Sequence, residues 1–204
     1  MTVTYSGDGR IAAGGLYAGT GANGGVYADA ETGSLPTLQI GTNFTGGATS
    51  LTEGTVSLTG GTTLTFEYQG AGTPPGGFGV GAVVGRADGA GSANGTLFVE
   101  GGSTVAFNNS AEEQMDGSLS GAYSNLTIGR GAGANGIVEV SGAGSSITAS
   151  GGSARITVGN QNGAGSVDIS DGAVMGTFNL MVGRDGGRGI VSGQWCRVRT
   201  AHGL

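Results

Sequence analysis

The sequence contains no lysine, one cysteine, three prolines and one tryptophan, and aromatic residues make up only 6% of it. Each scarcity excludes something. All eight basic residues are arginines, set against 14 acidic ones for a net charge of −6; a basic patch for nucleic acid or for an anionic membrane is not expected. Cys196, alone, cannot build an intrachain disulfide framework or a cysteine-rich zinc site. Proline is too rare, and glycine too irregularly spaced, for collagen. No run of about 18 apolar residues exists, so no transmembrane segment is expected. The opening residues TVTYSGDGR lack the charged and apolar regions of a signal peptide, and the chain is expected to be an internal piece of a longer protein.

Glycine is what the sequence has in excess, with 48 among 204 residues. With proline it approaches the level of low-complexity chains. Two features argue against disorder: only 11% of residues are charged, and Val, Ile, Leu and Thr recur in alternating pairs. The clearest instance is Leu126 to Ser150, LTIGRGAGANGIVEVSGAGSSITAS. It holds three short runs, each closed by glycine. Leu126 and Ile128 flank Thr127, Val138 and Val140 flank Glu139, and Ile147 and Ala149 flank Thr148.

The same unit recurs along the chain. Its first run ends on Gly19, Gly41, Gly85, Gly129, Gly159 and Gly183. The shortest intervals between these glycines set a unit of about 22 to 25 residues, in the solenoid range. The second run reads GGVYA at Gly24 to Ala28, GTVSL at Gly54, GTLFV at Gly95, GIVEV at Gly136, GSVDI at Gly165 and GIVSG at Gly189. The third reads TLTF at Thr63, TVAF at Thr104, SITA at Ser146 and, less regularly, VMGT at Val174. Runs of about four residues cannot bury their apolar faces in an isolated hairpin, but stacked on copies of themselves they form one continuous column. Three runs per unit with glycine corners predict an all-β chain, a right-handed parallel β-helix of about six coils with a triangular cross-section. The handedness comes from the general rule for parallel crossovers.

The expected organisation is an N-terminal edge or cap over 1–15 and repeats over 16–193. Coils lie near 16–37, 38–66, 82–107, 126–149, 156–177 and 180–193. Insertions at 67–81 and 108–125 fall at one corner, and per-repeat insertions commonly mark the binding face of a solenoid. They supply the candidate contact surface: Tyr68 and Phe78 in the first, Glu112, Glu113, Asp116 and Tyr123 in the second. Past Gly193 the pattern breaks. The segment 194–204 holds Trp195, Cys196 and His202 and reads either as a cap or as the truncated or frame-shifted end of a longer repeat protein.

The string V/I-G-R/N, a glycine-rich turn, then G-x-V/L-x-V/I and another glycine corner resembles the β-helix repeat associated with autotransporter (type V secretion) passengers and PEP-CTERM proteins. It matches best at LTIGRGAGANGIVEVSGAGSSITA, ITVGNQNGAGSVDISDGA and LMVGRDGGRGIVSG. The resemblance covers about Ala82 to Gly193 well and Leu16 to Phe66 loosely. It implies an exported bacterial surface protein, adhesive or structural, extracellular or on the cell surface of a Gram-negative organism. Host or extracellular-matrix glycans or proteins are the implied partners. The stretch has neither the C-terminal outer-membrane barrel nor the Pro-Glu-Pro tail of those proteins.

Chemistry-bearing groups are few. Arg86, Arg130 and Arg184 occupy one repeat position, interrupted by Thr42 and Asn160. They read either as an arginine stripe for anionic glycans or carboxylates or as solvated corner residues paired with Asp88 or Asp185. Glu139 and Asp168 are expected side by side on adjacent coils, flanked by Phe98 and Ser192; two such carboxylates can share a cation or act as an acid/base pair, but no acidic ladder extends from them. Thr65, Thr127, Thr148 and Thr157 are expected to point outward, suiting ice or glycan binding as well as ordinary strand propensity. Calcium β-roll, phosphate-loop and Ser–His–Asp patterns are absent or out of register. No catalysis, cofactor or metal is expected. A carbohydrate-active enzyme of lyase or hydrolase type is the alternative, and end-to-end self-association through open strand edges is a further expectation.

Overall fold

The computed structural model describes residues 2–6, 10–12, 15–18, 37–43, 51–67, 81–87, 89–108, 126–150, 154–193 and 197–200. Those residues form strands and tight turns, with no helix among them. The strands make three six-stranded parallel sheets. Sheet I contains β3 (Gly15–Ala18), β4 (Thr37–Asn43), β7 (Gly81–Ala87), β10 (Leu126–Arg130), β13 (Arg155–Asn160) and β16 (Asn179–Arg184). Sheet II contains β1 (Thr2–Ser6), β5 (Leu51–Thr59), β8 (Ser92–Glu100), β11 (Ala134–Ser141), β14 (Ala164–Ser170) and β17 (Arg188–Gly193). Sheet III contains β2 (Arg10–Ala12), β6 (Thr63–Glu67), β9 (Thr104–Asn108), β12 (Ser146–Ser150), β15 (Val174–Thr177) and β18 (Arg197–Thr200).

From β4 to β18 the chain visits sheets I, II and III in fixed rotation, and each strand pairs with its counterpart one turn away. The register follows the corner glycines. Leu126 pairs with Ala82 and Ile156, Val138 with Leu97 and Val167, and Ile147 with Val105 and Met175. Alternation then sends one face of each strand inward. The inward side chains of all three sheets meet in a single core: Ile40, Val84, Ile128 and Val158 from sheet I, Val56, Leu97, Val138 and Val167 from sheet II, and Leu64, Val105 and Ile147 from sheet III. Phe107 is the largest side chain fully buried in it. Each Val, Leu or Ile so buried contributes roughly 1.5–3 kcal/mol, which is what makes four-residue runs viable when stacked.

The corners are turns closed by hydrogen bonds from residue i+3 to residue i. The amides of Ala134, Gly163 and Gly187 donate to the carbonyls of Gly131, Asn160 and Arg184 between sheets I and II, and those of Ser103, Ser145 and Ala173 donate to Glu100, Gly142 and Ser170 between sheets II and III. The turns also bond to one another between layers, as in Gly131 N–H to Asn160 and Gln161 N–H to Arg184. These backbone groups at the corners are therefore satisfied along the stack.

The run Gly24–Ala28 lies outside the described residues, and the strand that pairs with β5 on that side is β1: Val3 stands opposite Val56 and Tyr5 opposite Leu58. TVTYS alternates as TVSLT does, so it serves as an equivalent strand without being a full unit. Glu67, Gly81 and Asn108, at the edges of the expected insertions, belong to β6, β7 and β9 and pair in register, while the rest of both insertions lies outside the described residues. The tail does not simply abandon the pattern: Arg197–Thr200 pairs with Val174–Thr177 as the last strand of sheet III.

Candidate functional site

All six residues of the expected contact surface, Tyr68, Phe78, Glu112, Glu113, Asp116 and Tyr123, lie outside the described residues, as do Asp88, Trp195, Cys196 and His202. Two other groups of polar side chains are described. One is on sheet II, the other on sheet I.

On sheet II, Glu139 of β11 stands in register with Asp168 of β14, and both are exposed. Phe98 of β8 flanks Glu139, and Ser192 of β17 flanks Asp168. The Ser192 hydroxyl donates to Asp168 Oδ1 at 2.9 Å. The expected carboxylate pair is thus present. No third ligand joins it: among the described residues no group of three or more His, Cys, Asp or Glu side chains could hold a metal ion.

On sheet I the arginines converge. Arg86, Arg130, Asn160 and Arg184 stand in one register row, with Thr42 beside Arg86. Arg130 Nε donates to Gln161 Oε1 at 2.9 Å. Arg184 Nε meets Asp185 Oδ2 at 3.1 Å, a partly exposed pair of the kind worth about 0–1 kcal/mol. The turn that follows Asn160 is strained, since Gln161 and Asn162 adopt left-handed φ values of 51° and 64°.

Arg155 also lies on sheet I, away from that row. It opens β13, at the opposite end of that strand from Asn160. Five residue steps separate the two positions, about 16 Å of strand. Burial, and then the nearby charge of Arg184, lower the pKa of Arg155 from its ordinary value. The Nε atoms of Arg86 and Arg155 are buried. An expectation about the threonines is corrected. Thr127 and Thr157 occupy outward positions but are only 6% and 0% exposed, so neither offers a hydroxyl to a ligand. The side chain of Thr65 lies outside the described residues, and Thr148 is half-buried.

No protein-family model, curated protein or solved structure matches the chain. Residue roles therefore rest on geometry and charge. The described strands of sheet I carry Arg86, Arg130, Arg155 and Arg184 and no acidic residue. Those of sheet II carry Glu53, Glu100, Glu139 and Asp168 against Arg188 alone. A chain of net negative charge thus presents one cationic sheet and one acidic sheet. Only the position of Arg155 just before Ile156, hence outward by alternation, could have announced it. Nothing in the repeat marks it, because it lies outside the glycine-arginine corner string.

Proposed function

We propose that the chain is a structural and adhesive segment of an exported surface protein of a Gram-negative bacterium, and that it is not an enzyme. The stack is read as a right-handed parallel β-helix of about six coils with a triangular cross-section. Its handedness follows from the crossover rule for parallel strands. The observation that carries this reading is the unbroken rotation of strands through three parallel sheets around one core. Such an arrangement is a rigid rod whose loops can vary without disturbing the scaffold. The likeness of its repeat to those of autotransporter passengers and PEP-CTERM proteins supports export and display. Tyr68, Phe78, Glu112, Glu113, Asp116 and Tyr123, on the two insertions, are the proposed contact surface for host or matrix glycans or proteins.

Two measurements on the purified chain test this together. Immobilised extracellular-matrix glycans and proteins should retain it, and Tyr68→Ala with Tyr123→Ala should weaken retention. Acidic polysaccharides incubated with it, with and without calcium, should keep their length. Depolymerisation that disappears in Glu112→Gln or Asp116→Asn would replace the adhesive reading with a catalytic one.

A further inference from the structure

We propose that copies of this chain stack head to tail, the last layer of one (β16, β17 and β18) pairing in parallel with the first layer (β3, β1 and β2) of the next. In all three sheets these strands stand at opposite ends of the order, and their outer edges are unpaired among the described residues. A solenoid that ends on its own closes with a polar terminal face. Here the core side of the last layer presents Leu180, Val182 and Val191. Val182 is 49% exposed and the other two are only partly buried, whereas Ile156, Val158 and Val167, one layer in, are buried.

The chemistry of the rows selects a second copy as what covers this end. Leu16 begins the sheet I row that ends at Leu180. Ala18 begins the neighbouring row that ends at Val182. Val3 begins the sheet II row that ends at Val191. Ile11 begins the sheet III row that ends at Val198. Stacked in the same register, all four rows cross the seam apolar to apolar. The seam thus repeats the contact that already joins each layer to its neighbour, and removing apolar surface from water favours it. Opposite ends of one molecule meet in it, so it does not close on itself and extends into a rod. Each copy adds six layers, about 29 Å. One pair opposes the seam and identifies its register. Arg10 begins the sheet III row that ends at Arg197, and like charges so placed are unfavourable. The stack involves neither insertion, so it and the adhesive surface can fail independently.

Sedimentation velocity of the purified chain from about 1 to about 300 μM tests this. The chain should form a series of oligomers that keeps growing with concentration instead of stopping at a dimer. Small-angle X-ray scattering should show length increasing at constant cross-section. Val182→Asp should abolish association, with circular dichroism establishing that the variant is folded. At low salt, Arg10→Glu and Arg197→Glu should each strengthen association about fivefold, because the seam then pairs opposite charges. The double variant sets like charges against each other again and should return close to wild type. The differences should fade toward about 1 M salt. If Val182→Asp fails to fold, the charge series decides alone. A strict monomer over the whole range, a cross-section that thickens as particles grow, single charge variants no tighter than wild type, or a double variant as tight as the singles would overturn the proposal.

Discussion

At the scale of single residues, two columns of glycine hold the corner between sheets I and II. Gly129 ends its run with a left-handed φ of 70°. A Cβ there would run into the carbonyl of Ala164, one layer on. Facing it, Gly136 has ordinary φ, but a Cβ would meet the Val84 carbonyl and the Gly129 amide. Backbone therefore packs on backbone, and a side chain at either place would prise layers apart. Gly183 has nearly the same φ, 72°, but lies in the last layer, where the nearest atom to a Cβ is the Gly187 carbonyl oxygen at 3.3 Å. The two positions separate conformational strain from close approach. Gly183→Ala should cost about 1–2 kcal/mol, the left-handed penalty alone. Gly129→Ala should cost about 3–5 kcal/mol, because the layers must also shift. Urea denaturation of both variants reads the difference directly. Equal losses would mean that the glycine columns serve only the turn and not the contact between layers.

At the scale of strands, the parallel pairing that builds the core also forces outward groups into rows. Glu139 and Asp168 stand side by side for that reason, since β11 and β14 match seven residues in register and Val138 must meet Val167. Like charges so placed are unfavourable. Ser192 eases Asp168 from the other side. Glu139→Gln should therefore stabilise the protein by a few tenths of a kcal/mol at low salt, and the gain should vanish near 1 M salt. Paired denaturation curves at the two ionic strengths check it; a salt-independent gain would point to helpful packing by the amide instead. The strand rows also explain what was legible in the sequence. Runs with a corner glycine, such as LTIG and ITVG, identified their own partners, because the glycine fixes the register. TVTYS was not recognised as the partner of β5, because no corner glycine-arginine string accompanies it. Thr127 and Thr157 misled for another reason. Alternation tells which face a side chain leaves from, not whether that face is then covered.

At the scale of the whole molecule, a stack has no single centre of stability. Each layer contacts only its neighbours, so stability is close to a sum of layer and interface terms, and the last layer has one interface instead of two. The column Ile40, Val84, Ile128, Val158 is fully buried, while the next member, Val182, is 49% exposed. Val191 and Leu180, in the same last layer, are only partly buried against the core. Substitution should register this gradient. Ile128→Ala should cost about 2–5 kcal/mol, whereas Val182→Ala should cost about 1 kcal/mol or less, because little apolar area leaves water there. Amide hydrogen exchange should show the same order without mutation. Protection should be strongest in β8 and β11, which are paired on both sides, and should fall through β14 to β17, which is paired on one. Concentration supplies the deciding control. The edges of β16 and β17, unpaired among the described residues, are where another copy could add its own edge strands in parallel, a contact that does not close on itself. Protection in β17 that stays low as the protein is concentrated indicates a stack that ends there. Protection in β16 and β17 that rises with concentration, while β8 is unchanged, indicates stacks that join end to end.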